Sequence, residues 1–325
     1  MNSAQRLTRP QTDPIMRMGH MPRSASVAII VLNYNGCADT LACLHSLRHV
    51  EWPDFHVFVV DNASEDGSPD RVADEFPEVT LVRNRSNLGF AAANNIGMQK
   101  ALQDGHDYVL LLNNDTRVAP GFLAPLVEET DSHPYLAAVG PAILYDEQPD
   151  LVWCAGARVE AATGRSLSLF GRQDVSALPM ESFGCDYVSG CAMLMPREAI
   201  EDVGFLDSRF FIYYEETDWC TRARAFGGTV RCVPRARMWH KVPVRGGRES
   251  PRVRYLMTRN CLLYLAKHSP RHTKGARLAL SAVRALKCAV ALAARRRFPE
   301  ARAVLRGVLD FTRGRFGAPP VHGQR

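Results

Sequence analysis

Short, almost continuous apolar runs recur along the first third of the chain, and several of them stop abruptly at Asn, Asp or Gly. Residues 27–32, 55–60 and 108–112 are too short for helices and too uniformly apolar for strands with one wet face. They predict strands buried on both sides, as in a parallel sheet, with 80–83 as a shorter companion. Between the first two, Leu41, Leu44 and Leu47 fall on one helical stripe, with Asp39 or Thr40 as the expected cap. A helix of small side chains is predicted over 90–104. Strand and helix alternate, so the fold class is α/β, with an open, mostly parallel central sheet flanked by helices. Such sheets bind ligands beyond the carboxyl ends of their strands. Past Pro141 the pattern becomes irregular, until the aromatic run from Phe210 to Tyr214 leads into Glu215-Glu216-Thr217-Asp218-Trp219.

Charge divides the chain more sharply than hydropathy. Residues 1–250 carry a net −9 and residues 251–325 a net +15. The last segment is therefore expected to be a separate basic helical region. Its stretch 276–294 is apolar, but Arg284 and Lys287 interrupt it, and crossing a bilayer takes about 20 largely uncharged residues. On a helical wheel Arg277, Arg284, Lys287 and Arg295 share an arc of roughly 80° and the rest is apolar, a pattern suited to a helix lying on an anionic membrane surface. The positive charge would also suit nucleic acid, but aromatic residues are not interleaved with it, so no nucleic-acid partner is expected. Residues 1–25 are polar, carry Pro10, Pro14 and Pro22, and read as a disordered leader without the apolar core of a signal peptide. The nine cysteines show no CxxC pair and no zinc-like spacing, which points to a reducing compartment. The expected organisation is leader 1–25, main domain 26–250 and amphipathic region 251–325, in a cytoplasmic protein held at the inner face of the cell membrane.

Candidate chemistry gathers after the strands. Asp115 closes the run ending in Asn113-Asn114-Asp115, where an acid either caps a following element or meets a metal and phosphate. Asp61 ends the second strand beside Asn62 and Ser64, fit either to accept from a base or ribose or to close an Asx turn. The stretch from Asn87 and Gly89 to Gly97 admits a close ligand or, equally, close helix–sheet packing. Glu215, Glu216 and Asp218 are more carboxylates than a helix start requires, so one is a candidate general base, although Asp218 to Arg222 is also the spacing of an ion pair. At helical spacing Trp219 shares a face with Glu215 and Asp218. His240 precedes a basic, Gly-rich loop. It is a candidate to share a divalent ion with Asp115, while Arg245 and Arg248 meet phosphate.

Taken in order, these pieces resemble the family 2 inverting glycosyltransferases of the GT-A fold, especially a bacterial rhamnosyltransferase-like and galactofuranosyltransferase-like branch. The resemblance runs from Ser26 to Gly247 through Val27 to Gly36, Val60-Asp61-Asn62-Ala63-Ser64, Asn87-Leu88-Gly89-Phe90, Leu112-Asn113-Asn114-Asp115, Ser189-Gly190-Cys191-Ala192, Glu215-Glu216-Thr217-Asp218 and Trp239-His240-Lys241. It implies that Asp61 and the backbone of Asn33, Tyr34 and Asn35 bind a nucleotide-sugar, with Asn62, Asn87 and Gly89 beside them. Asn113-Asn114-Asp115 stands in place of the DXD motif, Asp115 and His240 hold Mg²⁺ or Mn²⁺, and Gly190 and Cys191 line the acceptor and diphosphate region with Trp219 and Arg245. This sequence departs from the pattern at Asn113, where the family writes a first Asp, and at Glu216, where it usually writes Asp. The implied reaction is sugar transfer with inversion, Glu216 or Asp218 acting as base. The implied donor is dTDP-L-rhamnose or a UDP-hexose, and the acceptor a lipid-linked saccharide of cell-surface polysaccharide synthesis. Readings set against it are a catalytically silent sugar-nucleotide-binding protein and a nucleotidyltransferase. The first strand is not followed by the Gly-rich, basic loop that a triphosphate requires.

Overall fold

The computed structural model describes residues 24–245 and 249–319. The expected leader, apart from residues 24 and 25, and Arg248 lie outside these. The chain runs through β1 (Val27–Asn33), α1 (Cys37–Leu47), β2 (Phe55–Asp61), α2 (Ser68–Glu75), β3 (Thr80–Arg83), α3 (Gly89–Gln103) and β4 (Tyr108–Asn113). There follow β5 (Thr116–Val118), α4 (Leu123–Ser132), β6 (Leu136–Tyr145), β7 (Val152–Cys154), β8 (Ala157–Val159), β9 (Ser166–Ser168), β10 (Phe183–Gly184), β11 (Ala192–Pro196) and α5 (Arg197–Val203). The last elements are α6 (Glu215–Ala225), β12 (Thr229–His240), α7 (Pro251–His268), α8 (Arg271–Ala294) and α9 (Phe298–Thr312).

The central sheet has the order β10-β12-β6-β11-β4-β1-β2-β3. Its β4-β1-β2-β3 half is parallel, as the strand-helix alternation predicts. Beyond β4 it is mixed: β11 runs antiparallel to both β4 and β6, while β12 is parallel to β6. Parallel neighbours need a crossover, usually a helix, and no helix longer than a single turn lies between β6 and β11 among the described residues.

Both faces of the sheet are dry, which is why its strands read as continuous apolar runs. Val27, Ile29 and Val31 face Leu44 of α1 and Leu126 of α4, whereas Ala28 and Ile30 face Ala93 and Met98 of α3. Gly97 of α3 sits so close to the sheet that a Cβ there would lie 2.7 Å from Ile30. Close packing thus accounts for the small residues along this helix. The expected cap of α1 is corrected. The helix begins at Cys37 after Gly36, with no side-chain cap, because Thr40 is buried with its hydroxyl given to Asn33 and Asp39 pairs with Lys241.

Helices α7, α8 and α9 pack on one another, and α7 also packs against the segment before α6. No helix among the described residues is long and apolar enough to cross a membrane. All nine cysteines are free.

Candidate active site

The carboxyl ends of β1 and β2 form a hydrogen-bonded platform. Asn33, fully buried, donates to Asp61 at 2.8 Å, to Ser64 at 3.1 Å and to Ser68 at 2.7 Å, and accepts from Thr40 and Asn114. Asp61 also accepts from the Ser64 amide, so this buried acid is oriented from two sides. Asn35 takes a left-handed conformation and accepts from the Glu65 amide, while Tyr34 stands out into solvent. Asn62 accepts from the Leu88 amide and donates to Asn87, whose own oxygen accepts from the Gly89 amide. Gly89 has φ +81°, and a Cβ there would come within 2.5 Å of the Phe211 ring.

Tyr34, Asn62, Asn87 and Gly89 therefore line one open cleft of about 280 Å³, closed on its far side by Phe211 and Arg252. The last two were not legible as site residues. They arrive from the strained loop before α6 and from the start of α7, far away in sequence.

The β4 end supplies the other half. Asn114 donates to Thr40, and the Asp115 side chain, 33% exposed, meets His240 with 3.1 Å between Oδ1 and Nε2. The sheet makes this contact. Residues 116 and 240 are register partners in the β5–β12 pairing, and the Lys241 amide donates to the Asp115 carbonyl. His240 is buried, edge-on to Trp153, and its Nδ1 has no partner among the described residues. A carboxylate oxygen and an imidazole nitrogen about 3 Å apart fit two adjacent positions on a six-coordinate ion with ligands at about 2.1 Å, leaving the rest for phosphate and water. The donor set fits Mg²⁺ or Mn²⁺. Asn113 contributes backbone rather than charge, its amide donating to the Cys191 carbonyl.

Gly190 and Cys191 lie between this pair and α6. Gly190 faces Phe90 and Glu216, with the Glu216 Cβ 3.5 Å from where its own Cβ would be. Cys191 is buried, and burial first, with the Asp115 charge behind it, keeps its thiol well above the ordinary value.

The three acids of α6 occupy different environments. Glu216 is half-buried, one carboxyl oxygen has no partner among the described residues, and burial pushes its pKa up to about 7. Glu215 is raised well above the ordinary value by burial and then by the Glu216 charge. Burial would also raise Asp218, but hydrogen bonds from His268 at 2.7 Å and Lys267 at 2.6 Å, with Arg222 beside them, hold it low. Asp218, the alternative to Glu216 as base, is thus an ion-paired acid. Its oxygens are engaged by three basic side chains, two of them from α7. Trp219 is corrected: it is wholly buried in the core and gives its indole N–H to the Gly204 carbonyl, so it does not line an acceptor site. Arg245 is exposed at the loop after β12.

Sequence reading missed the clamp that aims α6. Phe211, Tyr213 and Tyr214 all have positive φ, and the carbonyls of Phe210, Ile212 and Tyr213 accept from Asn260 Nδ2 at 2.8, 2.9 and 2.8 Å. Arg259, also fully buried, adds a bond to the Phe210 carbonyl at 3.1 Å. The available signal was a polar pair on the apolar stripe of α7, between Leu256 and Leu263. Asn260→Ala leaves the part-buried Ile212 and Tyr213 carbonyls without this donor, while the Phe210 carbonyl keeps its bond from Arg259. The substitution is expected to lower the unfolding free energy by about 3 kcal/mol, at about 1–3 kcal/mol per buried group left unsatisfied. Urea unfolding checks this through a lower midpoint at unchanged slope.

The model of the family described as Glycosyl transferase family 2 matches residues 28–204. The chain is 24% identical over 253 residues to the dTDP-rhamnosyl transferase RfbF of Shigella flexneri, covering 75% of this chain and 81% of that protein. It is 26% identical over 216 residues to an N-acetylglucosaminyl-diphospho-decaprenol L-rhamnosyltransferase of Mycobacterium tuberculosis, covering 59% and 68%. Among solved structures, the mannosyltransferase PcManGT of Pyrobaculum calidifontis, in complex with GDP-Man and Mn²⁺, matches with a TM-score of 0.57 at 18% identity over 90% of this chain and 88% of that one. GalNAc-T7 with UDP, GalNAc and Mn²⁺ matches with a TM-score of 0.58 at 16% identity, over 74% and 48%. At these identities the structural likeness concerns the fold, which is GT-A.

Proposed function

The chain belongs to glycosyl transferase family 2, and on that premise we propose that it moves a sugar from a nucleotide-sugar to a hydroxyl of a lipid-linked saccharide, with inversion and with the help of a divalent metal. The observation that carries the reading is the division of labour among its acids. A half-buried Glu216, with a pKa near 7 and one oxygen that has no partner among the described residues, stands on one side of the Gly190-Cys191 turn, and the Asp115–His240 pair stands on the other.

Glu216 takes the proton of the acceptor hydroxyl as that oxygen attacks the anomeric carbon. A pKa near the working pH suits a group that must be ionised yet basic enough to accept. The Asn33–Asp61 platform and the cleft lined by Tyr34, Asn62, Asn87 and Gly89 hold the nucleoside, and Asn114 steadies the turn that carries Asp115. Asp115 and His240 would hold Mg²⁺ or Mn²⁺, which supplies Lewis-acid neutralisation of the charge building on the departing diphosphate. Asp218, fastened to Lys267, His268 and Arg222, keeps α6 in place and leaves the chemistry to Glu216.

The names of the two rhamnosyltransferase relatives favour dTDP-L-rhamnose as donor, with a UDP-hexose next, and the mycobacterial relative's name favours an acceptor built on a lipid diphosphate. The test is a panel of nucleotide-sugars offered with Mn²⁺ and a polyprenyl-diphospho-sugar acceptor, following nucleoside diphosphate release. Release is expected with dTDP-L-rhamnose and to depend on acceptor. Release with no donor of the panel would overturn the assignment.

A further inference from the structure

We propose that the outer face of α8, continued by the exposed stripe of α9, is a docking surface for an anionic lipid bilayer. Leu280, Val283, Leu286 and Val290 recur at helical spacing along α8 and all stand exposed, Leu286 by 54% and Val290 by 62%. They are not left over from packing. The opposite side of α8 is the one that folds inward, where Ala289 and Leu292 bury against Ala301 and Val304 of α9. Phe298, Leu305 and Leu309 form a second exposed stripe on α9.

Charge decides what covers these stripes. Helix α8 contains no acid, and the two acids of α9, Glu300 and Asp310, are 4% and 2% exposed and paired with Arg297 and with Arg306 and Arg315. The described surface of the two helices therefore presents apolar side chains and cations with no exposed carboxylate. Lys287 lies among the apolar residues of α8, and Arg295, Arg296, Arg302 and Arg313 are exposed at the ends and flank. This differs in one respect from the basic arc read on the helical wheel. Arg284 turns toward Glu160 of the main domain, so it marks the edge of the face rather than its centre.

A second copy pairing face to face would set cation against cation. Nucleic acid would leave the leucine and valine stripe in water. An anionic bilayer meets both demands, taking the apolar side chains into the boundary of its acyl region while the long basic side chains reach the headgroups. The surface does not depend on which sugar the active site transfers.

The test is co-sedimentation of the full chain with phosphatidylcholine vesicles, with or without about one-third phosphatidylglycerol. Binding is expected to the anionic vesicles and to weaken as salt rises, because surface charges are screened. Lys287→Ala should weaken it about fivefold, and Leu286→Asp with Val290→Asp by at least about tenfold. Thermal unfolding of the variants should be unchanged, since the altered side chains are exposed. Equal binding to neutral and anionic vesicles would overturn the proposal, as would unaltered binding by the double variant. So would a dimer that the double variant dissociates while vesicle binding is absent.

Discussion

Glu216→Gln is expected to lower the turnover of sugar transfer by about 10² to 10⁴, the usual contribution of a positioned general base, while leaving donor affinity within about twofold. The amide keeps the shape of the side chain beside Gly190 and Phe90 but cannot take a proton. Donor contacts survive because the residues proposed to bind the nucleotide lie on β1, β2, β4 and the Asn87–Gly89 turn, whereas Glu216 starts a helix on the acceptor side. The pH dependence carries the same signature. Burial raises Glu216 to about 7, and the base acts only when ionised, so below that value the wild-type rate should fall about tenfold per pH unit and above it level off. Pre-steady-state transfer measured between about pH 5 and pH 9, paired with donor titration, checks both statements. Near-normal turnover in the Gln variant, or a profile that keeps its inflection, would remove Glu216 from the role.

Asp115→Ala should lower kcat/KM by about 10³ or more, since Lewis-acid stabilisation is worth several kcal/mol and each 1.4 kcal/mol is about tenfold. The loss should be accompanied by a weaker response to Mn²⁺. His240→Ala should produce a smaller defect of the same kind, because the acid carries the charge and the imidazole supplies one more donor. The two residues are 3.1 Å apart and would act on one ion, so the double variant should be little worse than Asp115→Ala alone. Mn²⁺ titration of activity, with direct binding followed by electron paramagnetic resonance, distinguishes this from a general loss of fold. An Asp115→Ala enzyme with wild-type half-saturation by Mn²⁺ would show that the pair holds no ion.

Much of the frame was legible in the chain. β3 occupies its predicted span, and β1, β2 and α3 lie within one residue of theirs, because a strand buried on both faces must be apolar throughout and a helix must repeat its apolar positions. The polar ends of the buried runs also put Asp61 and Asp115 among the candidates, since open α/β sheets bind ligands beyond the carboxyl ends of their strands. Distant partners were harder to read. Asp115 and His240 were paired on donor chemistry and on the family resemblance, since nothing local links residues 125 positions apart. Their meeting depends on β12 pairing with β5, a three-residue strand without a periodic signal of its own.

The sharpest case is α6. Glu216 and Asp218 are two residues apart and both acidic, and read as sequence Glu216 came first as base with Asp218 as its alternative. By itself the chain determined that carboxylates would stand at a helix start after an aromatic run, because periodicity and residue chemistry are local properties. Only the tertiary structure decided which one stays free. Lys267 and His268 come from α7 to engage Asp218, whereas Glu216 is desolvated and keeps one oxygen without a partner among the described residues. A carboxylate's proton affinity is set by the charges and the water around it, and those are supplied by segments brought together in space.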